Sequence, residues 1–189
     1  MKIQIQTTFP QVAASLERLT NDLANVVSVR AVNAMVAQAR TKMSQAITAE
    51  FNLSAAKVKE KLFVARATFK GNRYTVAAEL SSRVKGGDRR SINLINFAAR
   101  QSKGGVSVKI RKAGGRKVIR HAFIANKGRT VFARVGSERL PIKPLQTIDV
   151  PQMFQTRRIN AAVIRFINEK FPVVYERELA YALSRLAKP

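Results

Sequence analysis

The sequence predicts an α+β protein: an antiparallel β-sheet with a long N-terminal helical region, either one kinked helix or two helices, and a C-terminal helical region. Three observations carry this prediction. Apolar residues recur at helical spacing near both ends of the chain, they alternate with the period of a strand through its middle, and Val118 to Ile142 reads as a hairpin followed by a proline-bracketed exit. The 189 residues fit a single domain, large enough to bury roughly 70% of the surface its unfolded chain exposes. Within it, the helical region covers 10–50, the sheet region with basic loops 62–136, an extended strap 137–154, and the C-terminal helical region 155–187.

Taken in order, Lys2 to Gln6 alternates as a short strand, and Pro10 suits a first helical turn, where a missing donor is tolerated. Val12, Leu16, Leu19, Leu23 and Val26 then step at helical spacing; after a slip around Asn25 to Ser28, Val32, Val36, Ala39, Met43 and Ala46 resume it. Unbroken from Pro10 to Glu50, such a helix would run roughly 60 Å. Ser54 is placed to cap a short helix through Lys61. Phe63, Ala65, Ala67 and Phe69 are expected on one face of a strand that turns at Lys70-Gly71-Asn72 and returns through Tyr74, Val76, Ala78 and Leu80.

Ser81 to Ser91 has the glycine and charge content of a loop. Ile92 to Arg100 fits a strand or a short helix, with strand favoured, and Val106, Val108 and Ile110 line one face of the next strand. A basic loop, Arg111 to Lys117, leads into the hairpin of Val118 to Asn126 and Thr130 to Val135, turned by Lys127-Gly128-Arg129. Arg139 to Pro144, with two prolines, is expected to leave the sheet as a strap. The C-terminal stripe of Ile159, Val163, Phe166 and Ile167 is separated by Pro172, a kink or break, from Leu179, Ala182, Leu183 and Leu186.

Charge gives the strongest functional signal. The chain carries 35 Lys and Arg against 11 Asp and Glu, a formal charge of +24, so close-packed copies repel unless an anion neutralises them. The excess is localised: Arg83 to Arg139 holds 16 basic residues and two acids, Asp88 and Glu138, whereas Pro10 to Glu50 holds four and three. Lys85, Arg89, Arg90, Lys103, Arg111, Lys112, Arg116 and Lys117 are the candidate contacts to DNA or to an acidic partner, on loops expected to gather at one edge of the sheet. The plain alternative is a solvated face. With no tryptophan and no zinc-finger or RNP-type pattern, any DNA contact is expected at the backbone.

Other chemistry finds little support. There are no cysteines, which excludes disulfides, thiolate metal sites and cysteine nucleophiles. His121 is the only histidine, and no G-x-S-x-G elbow accompanies it. The acids show no metal-cage or paired-carboxylate spacing, and Gly86-Gly87 and Gly114-Gly115 lack the P-loop and Rossmann spacings. No enzyme activity, metal or cofactor is expected. The N-terminus lacks the apolar core of a signal peptide and no run of about 18 apolar residues occurs, so a membrane partner is not expected.

The segments AVNAMVAQARTKMSQAI (Ala31 to Ile47), GVSVKI (Gly105 to Ile110), and RHAFIAN with VFAR and RLPI (Arg120 to Ile142) together resemble the minor tail protein Z family of lambda-like phages and prophages, also called tail completion proteins. The resemblance spans most of the chain; Ile92 to Arg100 departs from the family pattern. It implies a structural virion component without catalysis, made in the host cytoplasm, that completes the tail near the head-to-tail junction. It further implies tail and neck proteins as partners and a likeness to small connector proteins that assemble as rings. A nonspecific nucleic-acid-binding protein is the alternative from charge alone, and a nuclease the third reading.

Overall fold

Helices form where the sequence offers long stretches free of glycine with apolar residues every fourth position, and strands where short alternating runs end at turn residues. A computed structural model describes residues 2–5, 21–70, 73–82 and 91–186. In chain order, strand β1 (Lys2–Ile5) precedes helices α1 (Asn21–Glu50) and α2 (Ala55–Glu60) and strands β2 (Leu62–Ala65), β3 (Thr68–Lys70), β4 (Arg73–Thr75) and β5 (Ala78–Ser82). Next come β6 (Ile92–Asn93), a 3₁₀ turn (Leu94–Asn96), β7 (Arg100–Ser102), β8 (Gly105–Val108) and β9 (Lys117–Ile119). The chain continues with β10 (Ala122–Ala125), β11 (Thr130–Arg134), β12 (Ile142–Pro144), β13 (Gln146–Thr147), α3 (Val150–Phe154) and α4 (Arg157–Leu186). The α+β class is as the sequence predicts, but the strands form several small antiparallel sheets. The expected positions Val12, Leu16 and Leu19, the turn at Gly71-Asn72, and Lys85, Arg89 and Arg90 lie outside the described residues.

The chain divides into two compact units. The first takes residues 1–43, 62–82 and 160–189. Here α1 is continuous across the slip at Asn25 to Ser28, because Val27, Ala31, Met35, Ala39 and Met43 are buried at steps of four, flanked by Val32 and Val36. No proline or glycine interrupts its 30 residues. Helix α4 also runs unbroken, through Pro172: Val163, Ile167, Phe171 and Tyr175 keep the same step. The carbonyl that Pro172 leaves without its donor belongs to Asn168, an exposed residue whose backbone water can satisfy. The helices are tied by Arg30, whose Nε lies 3.6 Å from Glu178 Oε2 and whose guanidinium sits 4.7 Å from the Tyr181 ring centre. Hydrogen bonding from Arg185, then from Arg30, lowers the Tyr181 pKa below that of a free phenol.

In the same unit β5 is the central strand between β1 and β2. The expected face of Phe63, Ala65 and Ala67 is divided: Leu62 is buried and Val64 half-buried, while Phe63 is 38% exposed and Ala65 points outward. The reversal comes at Arg66-Ala67, where the strand breaks and Ala67 returns to the core. Asn33, 34 residues away, repairs the break: its Oδ1 accepts from Ala67 N–H and its Nδ2 donates to Ala67 C=O, both at 2.9 Å. Asn33→Ala leaves both backbone groups unpaired in a buried place and is expected to cost about 2–3 kcal/mol. Denaturant unfolding of the full chain checks this, and a change too small to resolve would mean that water replaces the amide.

The second unit takes residues 44–61 and 83–159. Ser54 caps α2 as expected, accepting from Lys57 N–H at 3.4 Å. The segment 92–100 is neither the expected strand nor a regular helix: after two residues of β6 it closes a 3₁₀ turn that buries Leu94 and Phe97. Asn93 decides this, since its Oδ1 accepts from Ile95 N–H at 3.0 Å and Val131 N–H at 2.9 Å, and its Nδ2 donates to Val131 C=O at 3.2 Å.

The predicted strand from Val118 to Asn126 is two strands, broken at Arg120-His121, where His121 has a φ of 59°. β9 joins the sheet β7-β8-β9, and β10 joins β10-β11-β12. The hairpin turn is where expected, with Asn126, Lys127 and Gly128 all at positive φ. The strap does not leave the sheet: it is extended, but Ile142–Pro144 pairs with Phe132 to Arg134 as a third strand. Two prolines remain compatible with this because an edge strand needs donors on one side only.

Candidate functional site

The basic surface belongs to the second unit. Between Arg100 and Lys143 the chain has 13 Lys and Arg and one acid, Glu138. Of this unit's other described acids, Glu50 pairs with Arg158 at 2.9 Å, Glu60 with Lys57 at 3.3 Å, and Asp149 caps α3 through Val150 N–H at 2.7 Å. These acids are already partnered, and most of the cations from Arg100 to Lys143 are exposed.

The predicted contact residues that the structure describes fall towards the two ends of β8. Arg111, Lys112 and Arg116 lie on the connection from β8 to β9 and Lys117 opens β9; all four are exposed. The root of that connection is fixed to the segment following α1: Asn52 N–H donates to Ile110 C=O and Lys112 N–H to Glu50 C=O, both at 2.8 Å, and the Arg111 guanidinium lies 5.6 Å from the Phe51 ring centre. Arg116 folds back on the sheet, donating to Ser107 Oγ and Ser107 C=O at 3.1 Å and to the Ala98 carbonyl. Its guanidinium therefore organises backbone. Lys112, on the connection, and Lys117, at the start of β9, make no ion pair among the described residues.

Lys103 sits at the other end of β8, in the tight turn from β7. Three groups outside the predicted contact set join it around an open cleft of about 560 Å³: Arg120, His121 and Arg134. The antiparallel register explains the meeting, because pairing Val106 with Ile119 brings the end of β9 back beside the β7–β8 turn. Gly105 makes the approach possible. Its φ is +135°, and a Cβ there would collide with the carbonyl oxygen of Ile119. Arg134 was legible in principle: alternation puts it on the Phe132 face of β11, and the hairpin register sets Phe132 opposite Phe123, whose ring centre lies 5.5 Å from the Arg134 guanidinium.

Among the described residues, no group of three or more His, Asp and Glu side chains is placed to hold a metal, and no helix is long and apolar enough to cross a membrane.

These features define a strongly basic α+β protein whose second unit offers cations on fixed backbone. A family model for prophage minor tail protein Z (GPZ) matches residues 10–188. The chain belongs to that family, and so to the structural proteins of phage tails. No curated protein and no solved structure matches it significantly.

Proposed function

We propose that the protein completes the phage tail near the head-to-tail junction, acting by assembly and without catalysis, as a homo-oligomeric ring whose basic surface meets DNA or an acidic neighbour. Family membership supports the tail role. The observation that carries the rest is the 13-to-one excess of bases over acids from Arg100 to Lys143, on a unit whose other described acids are already engaged. Copies carrying this charge come together only where negative charge is supplied, and a tail through which DNA passes supplies it.

Electron cryomicroscopy of particles carrying the chain tests the placement. Several copies at the head-proximal end of the tail are the expected result; copies confined to the distal tip, or one copy without symmetry, would overturn it. The reading as a free nonspecific nucleic-acid-binding protein is motivated by the +24 charge. It predicts tight, steeply salt-dependent binding of random duplex in cells where no tail proteins co-purify with the chain. Divalent-metal-dependent nicking of DNA by the purified protein, abolished by replacing one acid, would end the non-enzyme reading.

A further inference from the structure

We infer that the cleft lined by Lys103, Arg120 and Arg134 is a binding site for the phosphodiester backbone of duplex DNA. This deepens the reading above, on which the choice of DNA as the polyanion rests.

The three cations line the cleft with no Asp or Glu among the lining residues. Like charges converging without a counter-charge oppose one another, and an anion in the cleft removes that cost. Their supports are fixed. Arg134 is held over Phe123, whose ring stacks on Phe132 at 6.0 Å between centres and 27° between planes. Gln101 ties the two walls: its Oε1 accepts from Ile124 N–H at 2.9 Å, and its Nε2 donates to Gly105 C=O at 3.2 Å. Ser102 Oγ donates to the same carbonyl at 2.9 Å. His121, at a φ of 59°, holds a left-handed conformation that an L-residue adopts at a cost of roughly 1–2 kcal/mol. Strain of this kind persists where the surroundings impose it, and it clusters at binding sites.

The occupant follows from shape and chemistry. At about 560 Å³ the cleft has room for more than a free inorganic anion. Arginine forks match the paired oxygens of a phosphodiester. Duplex DNA, with a charge roughly every 1.7 Å of axis, also suits a unit that carries 13 Lys and Arg between Arg100 and Lys143. Of the two rings that line the cleft, Phe123 already has Arg134 over it and Phe132 stacked beside it, and the other is the small imidazole of His121. Three cations against one unoccupied imidazole favour phosphates over bases, so the site takes backbone without reading sequence.

Fluorescence anisotropy on the full chain, with a labelled random duplex of about 20 base pairs across a salt series, tests this. Arg120→Gln with Arg134→Gln is expected to weaken binding by tenfold or more and to lower the slope of log affinity against log salt by about 2. Arg165→Gln with Lys170→Gln, an equal charge loss on exposed positions of α4, is expected to leave that slope in place. Arg120→Gln with Lys103→Gln, which touches no ring packing, is expected to show the same loss if Arg134→Gln disturbs folding. Equal losses in the cleft and α4 variants would overturn the site, as would an acidic polypeptide that displaces the duplex at matched charge concentration. Either result leaves the tail placement standing, because that is decided on particles; a distal location in particles with the cleft result intact would instead remove the junction reading alone.

Discussion

Gly105→Ala is expected to leave little folded second unit. The methyl group would collide with the Ile119 carbonyl oxygen, and the backbone at φ +135° suits almost no other residue. Neither side can yield cheaply. Val106 is paired with Ile119, and the Gly105 carbonyl accepts from both Gln101 and Ser102. Separating β8 from β9 to admit the methyl would break that ladder and move Arg120, for a combined cost above about 3 kcal/mol. Soluble yield and thermal melting of the full chain are the measurements. A variant that melts with the native protein would mean that the two strands are not in close approach.

Phe51→Ala is the second large effect, with an expected loss of about 3–5 kcal/mol. Phe51 is 1% exposed, follows directly on α1, and pairs with Arg111 across an isolated bridge. Removing the ring opens a cavity and takes away the surface on which the Arg111 guanidinium lies. The hydrogen bonds from Asn52 to Ile110 and from Lys112 to Glu50 then hold the connection alone. Hydrogen exchange is therefore expected to accelerate at the amides of Asn52 and Lys112 beyond what global destabilisation explains. Unchanged exchange there would show that the bridge does not depend on the ring.

Features set by neighbouring residues were legible in the sequence. The cap at Ser54 and the turn through Gly128 follow from local chemistry, and the structure has both. What stayed hidden was decided at long range. Asn33 ends one strand from 34 positions away, and Asn93 diverts another by occupying the backbone groups of Val131. No local pattern announces either. The exit through Pro141 and Pro144 reads as a strap because the vacant edge of β11 is invisible without its register. The cleft has the same origin: Lys103 stood out by charge, whereas Arg120 and Arg134 are ordinary strand-end arginines until pairing brings them together. The continuity of α4 at Pro172 was hidden for another reason, since it depends on whether water reaches the Asn168 carbonyl.

β12 bounds its three-stranded sheet, with Pro144 inside it and Pro141 immediately before it. An outer strand so poor in amide hydrogens is a weak template for another chain to zip onto. Many copies can therefore be concentrated at one place without polymerising edge to edge into amyloid-like fibrils through this strand. A contact made here with another protein would then rest on side chains, which limit its extent, and not on an open backbone ladder that has no natural end.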